Sequence, residues 1–399
     1  MISPELIAFF YNTASIQRWN DYPRFTDLTE LDKQSHKFII AFFLASQNEQ
    51  INLKKLIEAG IFEFLRRAIV TDIRPDVYRR AIKEKEKEIN EWFLNKIRPV
   101  TNGDFFMKIE TYFADISAYK NERKLLEAAH YLSTRYEFKI IYQSGGFLSD
   151  IEELRQSVES EIFIHLDCKG VEEVGLNGNL AKIVDLCGRL RYQIRWSQTP
   201  RLPKTSVLGH QLIVALFSYF YSVSASACEK RLANNFYCAL FHDLPEVLTR
   251  DIISPVKYSV GGLERFISNY EIELIRTRIL PLVPDNIQGY FAYLLGLDNS
   301  RKNEFMNRVI KDGKIVEIDD CADYNDDIFE PIDGVALKAC DHLAAFTEAA
   351  LSKSYGIRSK DLENGFAVKN KHRSPIGGVN FYAIMSNFEK YLGINEESR

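Results

Sequence analysis

A stretch near the N-terminus returns in the middle of the chain, and an ordered set of patterns follows it both times. IQRWNDYPRF precedes SHKFIIAFFLA, and QIRWSQTPRL precedes GHQLIVALFSYF. Arg18-Trp19 and His36 thus return as Arg195-Trp196 and His210. IFEFLRRAIVTDIRPDVY then answers to YCALFHDLPEVLTRDIISPVKY, setting Asp72 against Asp251, and FADISAY answers to KACDHLAAF, setting Asp115 against Asp341. Last, LEAAHYLSTRYEFK answers to TEAALSKSYGIRSK. One such match means little. Four in the same order constrain the fold: whatever the first half forms, the second forms too, so two copies of one unit are expected.

Periodicity says what the unit is. LLEAAHYLSTRYEFK, GHQLIVALFSYFYSV, CEKRLANNFYCALFHDL and ALKACDHLAAFTEAALSKSY repeat apolar residues at three- and four-residue steps, which gives each segment one buried helical face. FKIIY near 138–142 and EIFIHL near 161–166 are rich in branched and aromatic residues and read as short strands. The expected fold class is mainly α, two tandem helical bundle domains with a small β element between them. With 399 residues, 46% of them apolar or aromatic, each domain can bury its own core. Ser144-Gly145-Gly146 ends the first unit's last helix, and CKGVEEVGLNGN at 168–179 reads as a loop. The boundary falls in 145–180, giving domains 1–160 and 175–399.

A net charge of −4 and the lack of a basic aromatic stripe argue against a nucleic-acid partner. MISPELIAFFYNTAS lacks the basic start and cleavage site of a signal peptide, and the apolar stretch from Gln211 to Val223 is short for a bilayer span. A cytoplasmic protein with no membrane partner is expected. The six cysteines form no C-x-x-C pair and read as buried free thiols. KEKEKE at 83–88 is a solvated helix face, and no glycine-rich loop has the make-up of a P-loop.

The chemistry concentrates in FHDLPEVLTRDIISPVKY at 241–258. An adjacent His242-Asp243 pair at a helix end offers an imidazole nitrogen and a carboxylate oxygen to one point, ligand types that suit a divalent transition metal. His210 on an upstream helix and Asp341 on a downstream one can turn inward in a bundle. Each alone has a plainer reading: His210 as a satisfied core histidine, Asp341 as a surface carboxylate. Together they put charge where the pattern calls for core, which is costly unless the charge is paired or metal-bound. The first half lacks this set. Glu63-Phe64 stand against His242-Asp243 and Arg67 against Glu246, so that half is expected to be non-catalytic.

The order H…HD…D resembles the HD-domain metal-dependent phosphohydrolases, nearest to their bacterial 5′-deoxynucleotidase branch. The resemblance spans about 190–355 and rests on Arg195-Trp196, His210, His242-Asp243, Glu246-Val247-Leu248-Thr249, Asp251 and Ser254-Pro255-Val256-Lys257-Tyr258. It implies HD-type domains and one divalent ion (Mn, Co, Mg, Fe, Ni or Zn) held by His210, His242, Asp243 and Asp341. It further implies catalytic roles for Glu246 and Asp251, and substrate contacts from Arg195, Trp196 and Lys257. The metal would acidify a bound water, and Glu246, one turn beyond His242, would accept its proton. The implied substrate is a nucleotide, foremost a (deoxy)nucleoside 5′-monophosphate. The alternative is a nucleotide-sensing or scaffold HD protein that binds metal and ligand without turnover. The family pairs as homodimers, so the two halves are expected to form a pseudo-dimer within the chain. Two departures stand out: Leu208-Gly209 replaces Ser-Glu before the first histidine, and the segment from Tyr258 to Asp341 is long, with an acidic run at 317–327.

Overall fold

The computed structural model describes residues 2–394 apart from 72, 74, 102, 251–259, 299 and 300. The first half runs α1 (Pro4–Asn12), α2 (Glu30–Ala45), α3 (Leu53–Val70), α4 (Pro75–Ile97), α5 (Gly103–Ala114) and α6 (Lys120–Gly145). Two connecting helices, α7 (Ile151–Ser160) and the short α8 (Val171–Gly175), lead to α9 (Asn179–Gly188), α10 (Val207–Ser224) and α11 (Glu229–Phe241). Then come α12 (Glu246–Thr249), α13 (Leu263–Leu274), α14 (Gln288–Leu294), a hairpin of β1 (Arg308–Lys311) and β2 (Lys314–Glu317), α15 (Gly334–Ser354), α16 (Lys360–Ala367) and α17 (Phe381–Tyr391). The fold is mainly α, and the four segments with clear helical periodicity lie in α6, α10, α11 and α15.

Two helices form the centre. Every residue of α2 is buried, and so is α10 from Val207 to Ser222. They pack against each other, α2 backed by α3 and α6, α10 by α11 and α15. The Ser206 hydroxyl donates to Asp32 Oδ1 at 2.5 Å and caps α10 by accepting from the Gly209 amide at 2.9 Å. A Cβ on Gly209 would sit 2.9 Å from that same Asp32 oxygen, so the glycine is what lets α2 approach. One apolar core runs through both halves, from Leu6 and Phe10 to Phe381 and Phe388. By length and composition α10 could cross a bilayer, but 89% of it is inside this core.

The two strands expected from composition are not strands. Residues 138–142 continue α6, where Phe138 and Ile141 pack one helical turn apart in a second small core, and Glu161–Ile164 is a 3-10 turn. Helical context overrides β propensity there. The hairpin sits inside the second half instead, turning on Asp312-Gly313, both at positive φ. That Asp-Gly pair is a hairpin signal in the sequence. KEKEKE is an exposed face of α4, and all six cysteines are free.

The halves share unusual local geometry. Antiparallel bridges join Gln17 to Thr29 and Ile194 to Ser206. Thr29 and Ser206 cap α2 and α10. Trp19 and Trp196 have φ of 54° and 56°. Each indole donates to a carboxylate on a long helix, Glu137 at 3.0 Å and Glu348 at 2.8 Å.

Counting from these anchors gives another register than the one read from the sequence. Lys33 follows Thr29 by four residues as His210 follows Ser206, whereas His36 follows Thr29 by seven. Arg66-Arg67, not Glu63-Phe64, stand as far beyond the cap Asn52 as His242-Asp243 stand beyond Cys228. His130, seven residues before Glu137, matches Asp341 before Glu348, whereas Asp115 lies in an exposed turn ahead of α6. Asp72 lies outside the described residues. From Trp19 to Thr29 and from Trp196 to Ser206 is ten residues each, so likeness of side chains, not loop length, set His36 against His210.

His36 faces the other half. Its Nε2–H donates to the Val184 carbonyl at 2.9 Å, and its Nδ1 accepts from Arg191 at 3.1 Å. Both nitrogens are committed to the neutral ring. Burial, with Arg191 next, pushes its pKa down to about 3. The unfolded chain therefore takes up a proton that the folded one refuses, and stability falls as pH drops from about 6.5 toward about 3. Between about pH 7.5 and about pH 5 the parent protein should lose on the order of 2 kcal/mol more stability than His36→Gln, which titrates no proton. Urea unfolding at the two pH values measures this, and equal losses would show that His36 carries no such penalty.

Candidate metal centre

The site is placed by a clamp between α11 and the start of α15. Arg231 donates through Nε and Nη2 to the two Asp333 oxygens, both at 2.7 Å, and Asn235 Nδ2 donates to Asp333 Oδ2 at 2.7 Å. The Asp333 amide returns a bond to Asn235 Oδ1 at 2.8 Å. All three residues are buried. Such a bidentate pair fixes orientation as well as distance. From Asn235 to His242 is two turns, and from Asp333 to Asp341 slightly more, so the clamp fixes where the two ligand candidates meet.

They meet closely. One ligand atom each from His210, His242 and Asp341 lie within 4.8 Å of one another. His210 Nε2 is 3.2 Å from Asp341 Oδ1 and 3.9 Å from Asp243 Oδ2, and His242 Nε2 is 3.1 Å from the same Asp243 oxygen. The sequence had set these four side chains on three separate helices or helix ends, and the structure brings them together.

The donor set fits a divalent cation. His242 is the residue that ends α11, and its Nδ1–H donates to the Ala239 carbonyl at 2.7 Å, which turns Nε2 toward Asp243; burial would lower the His242 pKa, but Asp243 outweighs it and raises it. Nε2 is buried without a hydrogen bond of proper geometry although Asp243 is near. Burial, with Arg195 next, lowers the His210 pKa and keeps that ring neutral, the form that ligates. Burial opposes ionisation of both acids, yet Lys338 and His210 hold Asp341 well below the usual range, and His242 and His210 do so for Asp243.

Glu348 stands behind His210 and was not singled out in the sequence. Its carboxylate accepts from Trp196 Nε1 at 2.8 Å and Thr205 Oγ1 at 2.5 Å, with Arg195 at 3.6 Å, Arg201 at 3.8 Å and His210 Nδ1 at 3.9 Å. Burial would raise its pKa; Arg201 and Arg195 outweigh that and hold it at about 2. Two helical turns from Asp341, on the same face of α15, Glu348 was findable from spacing alone.

Arg195 reaches forward to Asp243 Oδ2 at 3.5 Å. Trp196 is an anchor: besides its bond to Glu348, its ring edge packs on Gly365 of α16. Glu246 opens α12 directly after the His-Asp turn, and its carbonyl accepts from Gln193 Nε2 at 2.9 Å, tying that turn to the segment carrying Arg195. Asp251 and Lys257 lie outside the described residues.

The long insertion adds groups that spacing did not point to. Lys338 donates to Asp341 Oδ2 at 2.9 Å and lies over the Phe305 ring, whose centroid is 6.0 Å from that of His242. Lys302 pairs with Glu304 at 2.8 Å in the same neighbourhood. The buried Arg308 guanidinium holds this insertion by donating to the carbonyls of Tyr293 and Met306, each at 3.0 Å.

Residues 187–369 match the HD domain family. A 5′-deoxynucleotidase of Cronobacter sakazakii is 28% identical over 113 residues, covering 27% of this chain and 55% of that protein. A 5′-deoxynucleotidase of Pasteurella multocida is 25% identical over 139 residues, covering 32% of this chain and 66% of that protein. The chain thus spans between about half and two thirds of the curated relatives it matches.

Removing the Glu348 charge should expose how much rests on it. Glu348→Gln leaves Arg195 and Arg201 without their buried counter-charge, and stability should fall by about 3 kcal/mol in urea unfolding. A loss under about 1 kcal/mol would mean that Glu348 behaves as a surface pair does.

Proposed function

We propose that this protein is a metal-dependent phosphohydrolase that removes phosphate from a nucleotide, foremost a deoxynucleoside 5′-monophosphate, a reading supported by the match of residues 187–369 to the HD domain. The observation that carries the reading is the convergence of His210, His242 and Asp341 within 4.8 Å, with Asp243 alongside. These four residues would hold the ion. Bound there, a divalent cation supplies Lewis-acid stabilisation to the charge that develops on the phosphoryl group.

The remaining work falls to side chains. Arg195, poised beside Asp243, orients the phosphate oxygens through its paired donors. Trp196 and Glu348 hold Arg195 in place rather than touching substrate. The Glu246 carboxylate takes the proton from the attacking water. Phe305 and Lys338 form the wall that the insertion adds, Phe305 shielding the site from water and Lys338 contributing charge to the phosphate side. Asp251 and Lys257 keep the roles that their motif positions imply, at the sugar and the phosphate.

The same reading makes the N-terminal half a second copy that has lost the ligands, joined to the first as a pseudo-dimer. The shared caps, bridges, positive-φ tryptophans and Trp–Glu bonds support it, as does the α2–α10 contact at the centre.

Phosphate release should be measured from a panel of nucleoside 5′- and 3′-monophosphates and triphosphates, with Mn²⁺ and with Co²⁺. The 5′-monophosphates should be hydrolysed, Asp243→Ala should lose more than about 100-fold in turnover, and Arg195→Gln should mainly raise KM. Unchanged turnover in Asp243→Ala would remove the proposed chemistry. Stoichiometric metal without turnover of any nucleotide would favour a ligand-sensing protein instead.

A further inference from the structure

The place in the first half that matches the metal centre holds a lysine, an arginine and a histidine. Lys33 stands where His210 does, Arg67 where Asp243 does and His130 where Asp341 does. Lys33 Nζ lies 3.1 Å from His130 Nε2, as His210 Nε2 lies 3.2 Å from Asp341 Oδ1. The Lys33 ammonium and the Arg67 guanidinium cannot ligate a metal, and the His130 ring, whose pKa burial pushes well below the usual histidine range, is neutral.

Among the described residues, the cations here outnumber the carboxylates that pair with them. Glu30 is shared between Arg18 at 2.8 Å and Arg67 at 3.4 Å, and Glu137 between Arg18 at 2.9 Å and Arg191 at 3.6 Å. Among the described residues these two carboxylates serve three guanidiniums, with Asp32 a third acid near Arg191, and the Lys33 ammonium comes in addition. Among the described residues its hydrogen-bond partner is a neutral imidazole, and no carboxylate pairs with it. Lys33 is 1% exposed, and His130 beside it is exposed, so the ammonium lies one side chain from solvent. Burial, with Arg18 next, pushes the Lys33 pKa well below the usual lysine range. A buried ammonium in cationic company is costly unless an anion joins it.

We propose that this cluster binds the phosphate group of a small phosphorylated ligand, with the Lys33 ammonium and the Arg67 guanidinium as donors. The second half would then bind phosphate to cleave it, and the first half to hold it. The site is independent of turnover at the metal centre and requires no metal. Free phosphate and a nucleotide's phosphate share this chemistry.

The test is isothermal titration of the full chain with inorganic phosphate in excess EDTA, repeated with adenosine 5′-monophosphate. One phosphate should bind per chain. Lys33→Met, which replaces the ammonium with an apolar chain of similar length, should weaken binding at least about tenfold, and Arg67→Gln should weaken it in the same direction. Arg195→Gln should leave it unchanged, which separates this cluster from the phosphate subsite of the metal centre. Should Lys33→Met fail to fold, Arg67→Gln decides. Tighter binding of the nucleotide than of phosphate, lost in the same variants, would identify the nucleotide as the ligand. No binding in EDTA, or binding that survives both Lys33→Met and Arg67→Gln, overturns the proposal. So does binding lost in Arg195→Gln alone.

Discussion

The clamp of Arg231 and Asn235 on Asp333 is the contact on which the metal centre depends. It is buried, bidentate and reciprocated by the Asp333 amide, so it sets both the distance and the rotation of α15 against α11. From there, helical geometry alone carries His242 and Asp341 to a common point. His210 reaches that point from α10, which packs against both helices. Behind it Glu348 gathers Trp196, Thr205, Arg195 and Arg201 around one carboxylate, fixing the segment that precedes α10. The polar network is built inward from helix positions that an apolar core would otherwise occupy, and each charge in it has a partner.

The two halves share local geometry around side chains of opposite charge. In both, a capped central helix, a positive-φ tryptophan and a Trp–Glu bond hold an arginine beside the pocket. In the second half the pocket is lined by imidazoles and carboxylates; in the first, by lysine, arginine and histidine. The anchors lie outside these positions, so residues there can differ in sign without disturbing α2 or α10. Gly209 marks the other cost of the arrangement, since its missing side chain is what allows the two central helices to meet through Asp32 and Ser206.

Much of this was legible in the sequence, and the misses have physical causes. Strong three- and four-residue periodicity gave α6, α10, α11 and α15, because buried faces on long helices leave a clear pattern. His210, His242, Asp243 and Asp341 were legible because charge at core-patterned positions needs an explanation. The strands near 138–142 and 161–166 were misread because branched and aromatic residues fit either a sheet or the buried face of a helix, and length decides. The hairpin was missed although Asp312-Gly313 announces it. Likeness of histidines set His36 against His210, whereas counting from the caps at Thr29 and Ser206 sets Lys33 there. Arg231, Asp333 and Glu348 escaped notice because buried ion pairs between distant segments have no local signature.

The central claim is that four distant side chains share one cation. Anomalous diffraction from crystals soaked in Mn²⁺, with data collected at the manganese edge, tests it most directly. A single peak about 2.0–2.3 Å from His210 Nε2, His242 Nε2 and an oxygen each of Asp243 and Asp341 is the expected result. A peak elsewhere, or none while Mn²⁺ is bound in solution, would contradict it.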